Sequence, residues 1–143
     1  MPKVILFDID YTLINTQLIK ENCRNSLIKY LNIGFKRFEG LSEVYVKSPS
    51  GFTGFNPYEY IKYLSNQLDE SSDSLAKVYF SDENFSNVLY AETESVLEDL
   101  KKRFILGIFS EGYKNFQISK LHKTGILKYF DSNNTFIFRR KLV

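Results

Sequence analysis

Two carboxylates and a hydroxyl follow the first apolar stretch of the chain at two-residue steps. Val4 to Phe7 is an unbroken apolar run, and Asp8, Asp10 and Thr12 come directly after it. Because side chains alternate along an extended chain, we expect these three polar groups to converge if the turn keeps that alternation, with Ile9 returning to the core. Two carboxylates in one pocket suit a division of labour, in which one stays ionised as a nucleophile or metal ligand and the other transfers a proton. The alternative is a plain surface turn, where Asp is common.

The apolar run itself predicts where these acids lie. Four consecutive apolar residues are typical of a strand that is buried on both faces, as in a parallel sheet. Open α/β sheets bind their ligands in the crevice outside the carboxyl ends of the strands. Asp8 and Asp10 follow the strand at that end, so the pattern favours a site over a turn.

The rest of the chain alternates helical and extended patterns. Capping residues, apolar spacing and glycines predict helices over 16–34 and 35–46, a loop over 48–54, helices from 57, 75 and 93, a strand over 104–109, a helix over 113–125 and a strand over 135–138. This order predicts an α/β fold with a Rossmann-like parallel sheet, of which three strands are present. The core would comprise residues 1–14 and 91–143, and residues 15–90 would form a helical insertion.

The second and third predicted strands also end in polar residues. Ser110 follows the second strand, and Lys141 follows the third. Right-handed crossovers would lay the strands parallel and bring these residues to the same edge as the two aspartates. Taken singly, Ser110 is more often a turn or cap residue and Lys141 a solvated one.

Composition narrows the class of protein. The chain has 143 residues and a formal net charge of +2, which is too mild to indicate nucleic-acid binding. The single cysteine, Cys23, and the single histidine, His122, lack partners for a disulfide or a metal cluster, so we interpret Cys23 as a packing residue. The first apolar run is too short for a membrane span, and no signal peptide precedes it. These features predict a cytoplasmic protein without a membrane or nucleic-acid partner.

Two sequence motifs resemble those of a known family. The run Asp8-Ile9-Asp10-Tyr11-Thr12-Leu13 resembles the first motif of the haloacid dehalogenase (HAD) superfamily of phosphatases, with Tyr11 where glycine is frequent. The apolar run ending at Ser110 resembles the second motif, although Glu111 stands where Asn is often found. Lys141 is the best match to the lysine of the third motif, with Arg140 as a less favoured substitute.

The resemblance implies a mechanism. Asp8 would attack the phosphorus of a small phosphorylated metabolite and form an aspartyl-phosphate, while Asp10 would act as general acid and then as general base. Mg²⁺ would be held by the Asp8 carboxylate and the Asp10 backbone carbonyl. Thr12, Ser110 and Lys141 would bind the phosphoryl group. The presence of Asp10 also favours a phosphoryl substrate, since dehalogenases of the superfamily lack an acidic residue at the equivalent position.

The resemblance also implies what surrounds the site. The helical insertion, residues 15–90, resembles the cap that closes over the site in cap-bearing members. Its aromatic residues are interpreted first as packing. The fourth motif, an acidic pair that completes the Mg²⁺ site in the family, has no counterpart before Val143. The sequence therefore looks like the front portion of a longer phosphatase. A phosphomutase of the same superfamily and a non-catalytic binding protein with the same fold are the two alternatives.

Overall fold

The core of the molecule is a three-stranded parallel sheet. A computed structural model describes residues 1–52 and 54–139. The strands are β1 (Val4–Phe7), β2 (Ile105–Glu111) and β3 (Thr135–Phe138), in the order β1-β2-β3. Phe7 pairs with Ile108, and Phe109 pairs with Phe136. The α/β class and all three predicted strands are confirmed.

Helices occupy most of the chain between and after the strands. They are α1 (Thr16–Leu31), α2 (Phe35–Val46), α3 (Pro49–Phe52), α4 (Pro57–Leu68), α5 (Ser72–Tyr79), α6 (Thr93–Lys101) and α7 (Lys114–Lys123). Short 3₁₀ turns lie at Asp82–Phe85, Leu127–Tyr129 and Ser132–Asn134. Within the residues that the structure describes, no helix combines the length and apolar character needed to cross a membrane.

Local sequence signals explain the bounds of several helices. Asn56 caps α4, because its side-chain oxygen accepts hydrogen bonds from the backbone N–H groups of Tyr58 and Glu59, at 3.0 and 3.4 Å. Pro57 occupies the first helical position. The left-handed residue Asn32 ends α1 two residues before the predicted Gly34. Gly125, just after α7, has φ of +81°, as predicted for a left-handed residue beyond a helix.

The loop predicted over residues 48–54 is partly wrong, because it contains α3. Ser48 caps the N-terminus of this short helix, because its hydroxyl accepts a hydrogen bond from the backbone N–H of Gly51 at 3.3 Å. Its hydroxyl also donates to the carbonyl of Tyr45 at 2.6 Å. Pro49 supplies the fixed φ that suits a first helical position. Serine, proline and glycine together thus cap a short helix here instead of forming an open loop.

One face of the sheet packs against the helices. Leu106 and Ile108 of β2 are buried there with Leu27, Leu97 and Leu121 from three helices. Aromatic side chains of the helical insertion join the same hydrophobic cluster: Phe38, Tyr45, Tyr60 and Tyr79 are all less than 7% exposed. Packing was the expected role of the insertion's aromatic residues, and their burial agrees with it.

The opposite face of the sheet is apolar and exposed. Val4, Leu6, Phe109, Phe136 and Phe138 are each between 43% and 54% exposed. They alternate with residues that face the helices. The prediction that the first strand is buried on both faces is therefore wrong for this part of the chain. A continuous apolar run does not indicate which face of the strand packs against another segment.

Candidate active site

A tight turn after β1 places Asp10 beside the sheet. Ile9 is fully buried, and its carbonyl accepts hydrogen bonds from the backbone N–H groups of Leu13 and Ile14 at 3.0 and 3.2 Å. Tyr11 adopts a left-handed conformation with φ of +59°, a conformation that glycine adopts without steric cost. The extended alternation therefore ends at Tyr11, before it reaches Thr12.

Three side chains hold the carboxylate of Asp10. The Nζ of Lys120 donates to Oδ1 at 2.6 Å, and the hydroxyl of Thr16 donates to the same oxygen at 2.7 Å. The Nε2 of Gln117 donates to Oδ2 at 2.9 Å. Thr16 is the first residue of α1, while Gln117 and Lys120 lie on the buried side of α7. The carboxylate is thus fixed between two helices and the end of β1.

Charge and burial act in opposite directions at this ion pair. Burial opposes ionisation of Asp10, but the Lys120 ammonium and the hydrogen bonds from Lys120, Gln117 and Thr16 outweigh it and hold the pKa of Asp10 below its usual value. Burial lowers the pKa of Lys120, and the nearby Asp10 carboxylate offsets part of this effect. The geometry favours an Asp10 carboxylate paired with an ammonium group.

Gln117 connects Asp10 to Ser110. Its Nε2 lies 3.1 Å from the hydroxyl oxygen of Ser110 and 3.2 Å from the backbone carbonyl of Glu111. Ser110 is only 1% exposed. The close approach depends on Gly112, where an added Cβ would lie 2.9 Å from two carbons of the Gln117 side chain. Asp10 and Ser110, both predicted site residues, are therefore joined through Gln117 at the carboxyl end of the sheet.

Asp8 lies at the same strand end but in a different environment. Its side chain is exposed, and Oδ1 accepts a hydrogen bond from the backbone N–H of Ile9 at 2.7 Å. It interacts electrostatically with the buried Lys120. In the described part of the chain, His, Cys, Asp and Glu side chains form no group of three that would hold a metal ion. Asp8 thus offers a solvent-facing carboxylate beside the Asp10 pair.

Thr12, a second predicted phosphate ligand, does not join this cluster. Thr12 is exposed, and its backbone N–H donates to the carbonyl of Ile9 at 3.3 Å. Lys141 and its substitute Arg140 lie outside the described residues. The ammonium that the structure does place in the site belongs to Lys120.

Sequence reasoning missed Thr16, Gln117 and Lys120. The available signal was in α7, where Gln117 and Lys120 are next to the apolar residues Phe116 and Leu121 at core spacing. Two polar residues on the buried stripe of a helix need polar partners, and unpaired carboxylates at a strand end could supply them. Thr16 carried no such signal, because its type and position equally suit a helix start.

A cavity of about 570 Å³ opens beside Asp10. Its polar end contains Asp10, Gln117 and Lys120, and helices α1, α2, α4 and α7 supply most of its remaining wall. Cys23, buried as expected for a packing residue, forms part of this wall. The cavity thus has a carboxylate, an ammonium and an amide at one end, and the rest of its lining is mainly apolar.

Comparison with protein families now identifies the chain. Residues 5–135 match the model of the haloacid dehalogenase-like hydrolases. The chain belongs to this family. The matched range contains the first two motifs of the HAD resemblance, so the predicted superfamily is confirmed. The comparison with curated proteins found no match.

Solved HAD structures share the fold. A haloacid dehalogenase-like protein of Burkholderia xenovorans LB400 has a TM-score of 0.73 and 15% identity, with 96% of this chain and 63% of that chain covered. YfnB of Bacillus subtilis, solved with bound magnesium, has a TM-score of 0.60 and 18% identity, covering 95% and 63%. A HAD phosphatase of Thermococcus onnurineus has a TM-score of 0.54 and 26% identity, covering 96% and 62%. The chain thus spans less than two thirds of the length of these proteins.

Proposed function

We propose that this HAD-family chain belongs to a Mg²⁺-dependent phosphomonoester hydrolase that acts on a small phosphorylated metabolite through an aspartyl-phosphate. The observation that carries the proposal is the shared amide of Gln117, which joins the carboxylate of Asp10 to the hydroxyl of Ser110 at the carboxyl ends of β1 and β2. The two residues come from the two motifs that resemble those of HAD phosphatases.

The proposed reaction has two steps. As it binds, the monoanion of the phosphate ester gives its proton to the Asp10 carboxylate. A carboxylate oxygen of Asp8 then attacks phosphorus, the bond to the ester oxygen breaks, and Asp10 passes that proton to the departing oxygen. Asp10 then takes a proton from water as that water attacks the phosphorus of the aspartyl-phosphate, which restores Asp8 and releases phosphate. Asp8 is exposed and open to the substrate, whereas Asp10 is held by three donors. Lys120 stabilises the carboxylate form, which is the form that accepts the proton in the second step.

The remaining polar residues have supporting roles in this proposal. Ser110 and Thr12 hydrogen-bond phosphoryl oxygens, and Lys141 neutralises charge that develops in the transition state. The helices α1 to α5, within residues 15–90, act as the cap over a core made of residues 1–14 and 91–143. The cavity between α1, α2, α4 and α7 receives the leaving group.

The oxygen donors at this strand end suit magnesium. Mg²⁺ is commonly held by one or two carboxylates together with waters and substrate phosphate. The exposed carboxylate of Asp8 and the backbone carbonyl of Asp10 would hold it. The magnesium bound in the YfnB structure supports the choice of this metal. When bound, the ion would offset the repulsion between the Asp8 carboxylate and the anionic substrate.

Replacing the nucleophile tests the proposal. In the complete protein, Asp8→Asn should remove nearly all hydrolysis of p-nitrophenyl phosphate in the presence of Mg²⁺, with an unchanged circular dichroism spectrum. Asp99→Asn is the matched control, since Asp99 lies on α6 in an exposed pair with Arg103. Near wild-type turnover by Asp8→Asn would contradict the nucleophile assignment. With a sugar phosphate as substrate, an isomerised product in place of inorganic phosphate would indicate a mutase. Binding of the ester without turnover by the complete wild-type protein would indicate a binding protein.

A further inference from the structure

The cavity beside Asp10 is large enough to hold more than a phosphate group. Its volume of about 570 Å³ falls within the range typical of sites for small organic molecules. Asp10, Gln117 and Lys120 occupy one end, so most of the volume adjoins other side chains. The nature of those side chains indicates the class of leaving group that fits.

A series of aromatic rings lines the cavity and leads to its polar end. The ring centroids of Phe55 and Tyr60 are 5.4 Å apart, those of Tyr60 and Tyr79 are 6.3 Å apart, and those of Tyr79 and Phe116 are 6.5 Å apart. The Nζ of Lys120 then lies 4.8 Å from the centroid of Phe116. These separations are those at which aromatic rings attract one another. The wall is therefore aromatic up to the Asp10 pair.

Two hydroxyls and a thiol beside these rings are already paired. The hydroxyls of Ser42 and Tyr60 bond to each other at 2.5 Å, and the thiol of Cys23 donates to the backbone carbonyl of Tyr79 at 3.4 Å. Burial raises the pKa of Tyr60 to about 12, which reflects the apolar surroundings of its hydroxyl. A leaving group with several hydroxyls would lose its water here without gaining equivalent partners, and that loss is unfavourable.

The charged residues at the cavity lie where they are more exposed. Lys20 is exposed, and its Nζ lies 3.4 Å from the hydroxyl of Tyr11. The guanidinium of Arg24 lies 5.1 Å from the ring centroid of Phe35, and Glu39 is partly exposed. These charges are not part of the ring series, so the buried wall keeps its apolar character.

We propose that the substrate is a monophosphate whose leaving group carries an aromatic ring. The ring packs against Phe55, Tyr60 and Tyr79, and the phosphoryl group lies at the end that contains Asp10 and Lys120. The phosphoryl part of this inference rests on the proposed function, whereas the preference for a ring rests on the cavity wall alone.

Turnover with paired substrates tests the preference. We expect kcat/KM for benzyl phosphate and 2-phenylethyl phosphate, whose ester oxygen is bonded to an alkyl carbon, to exceed that for glycerol 3-phosphate and glucose 6-phosphate by at least tenfold. Phe55→Ala should lower the aromatic values at least fivefold and lower the others by a smaller factor, because Phe55 is a wall residue of the cavity and is 40% exposed. Tyr30→Ala is the matched control, since Tyr30 is 47% exposed and lies outside the cavity. Equal values for the two substrate groups would overturn the proposal.

Binding of inert phosphonates separates this inference from the phosphatase assignment. Benzylphosphonate should bind at least tenfold more tightly than propylphosphonate in calorimetry, and Phe55→Ala should remove most of that difference. If no ester is hydrolysed but this difference is found, the phosphatase assignment fails and the aromatic site stands. If esters are hydrolysed but the two phosphonates bind equally, the aromatic site fails and the phosphatase assignment stands.

Discussion

The Nζ of Lys120 lies 2.6 Å from Oδ1 of Asp10, and this contact joins α7 to the turn after β1. The side chain of Lys120 is 5% exposed and that of Asp10 is 27% exposed. Removing two charges from water is costly, and a buried pair is compensated only while both partners are present. The contact therefore makes the position of the Asp10 carboxylate depend on a helix that follows it by more than a hundred residues.

Removing the ammonium should destabilise the protein strongly. Lys120→Met keeps the apolar stem and leaves Asp10 without its cation, so we expect a loss of about 2 to 3 kcal/mol in the free energy of unfolding at pH 7. Asp10→Asn together with Lys120→Met should recover part of this loss, since no charge then remains unpaired. Urea denaturation of the two single variants and the double variant measures the coupling.

Lys123→Met on the same helix provides the comparison for this prediction. Lys123 pairs with Asp82 at 2.7 Å, but the side chain of Asp82 is 89% exposed. Its removal should cost less than about 1 kcal/mol, as is usual for pairs with an exposed partner. Equal losses for Lys120→Met and Lys123→Met would contradict the special role of the Asp10 pair.

Gln117 should be needed for activity as an amide. Gln117→Glu replaces the donor shared by Asp10 and Ser110 with a carboxylate, which repels Asp10 and leaves Ser110 without its donor. We expect kcat for p-nitrophenyl phosphate to fall by at least tenfold. Gln117→Met removes the donor without adding charge, and its kcat should lie between those of the wild type and Gln117→Glu. An unchanged kcat in Gln117→Glu would show that the shared hydrogen bonds do not position Asp10.

The sequence predicted the secondary structure better than the contacts between side chains. The strands and most helices could be predicted, because local signals such as apolar spacing, Asn56 and Gly125 mark where they begin and end. The pairing of Asp10 with Lys120 could not be predicted, because it depends on how α7 lies against β1. The exposure of Val4 and Leu6 was also hidden, since the sequence of a strand does not report what covers each face.

Alkaline pH should destabilise the protein through Cys23. Burial raises the pKa of this thiol from 9.0 to about 12. Below pH 9 the thiol is neutral in both states and its contribution to stability is fully present. Between pH 9 and 12 the unfolded chain loses the proton while the folded protein retains it, so stability falls by up to about 1.4 kcal/mol per pH unit for this group.

Cys23→Ala isolates the contribution of the thiol. Urea denaturation from pH 8 to pH 11 should give a shallower decline for this variant than for the wild type. Tyr60→Phe should also flatten the decline above pH 10, because the pKa of Tyr60 is raised to about 12. Parallel stability curves for wild type and Cys23→Ala would contradict the buried, neutral thiol.

The exposed face of the sheet should promote self-association of the 143-residue chain. Phe109, Phe136 and Phe138 are adjacent on this face, and an apolar patch next to an open strand edge favours association. Phe136→Lys should lower the associated fraction in sedimentation velocity and reduce binding of a hydrophobic dye. Phe35→Lys, at an exposed site on α2, is the control and should change neither. Equal association of wild type and Phe136→Lys would exclude this face as the cause.

Gly107 should tolerate no side chain, although it lies toward the exposed face. It pairs with Leu6 in the centre of the sheet, and an added Cβ would meet the backbone carbonyl of Asn134 and lie 2.7 Å from Cδ2 of Leu6. The turn that contains Asn134 has little freedom to move, because the N–H of Asp131 bonds to the carbonyl of Leu106 at 2.8 Å. Relief would thus require β2 to shift, and we expect Gly107→Ala to lose about 2 to 3 kcal/mol of stability.

Gly40→Ala separates this clash from a general effect of replacing glycine. Gly40 lies within α2, and an added Cβ there meets nothing within 4 Å. Alanine in a helix interior is favoured over glycine by about 0.5 to 1 kcal/mol, so Gly40→Ala should raise the free energy of unfolding. Opposite signs for the two variants in urea denaturation are therefore expected. A Gly107→Ala protein as stable as the wild type would mean that the turn at Asn134 yields, and that β2 is less tightly packed against it than the distances indicate.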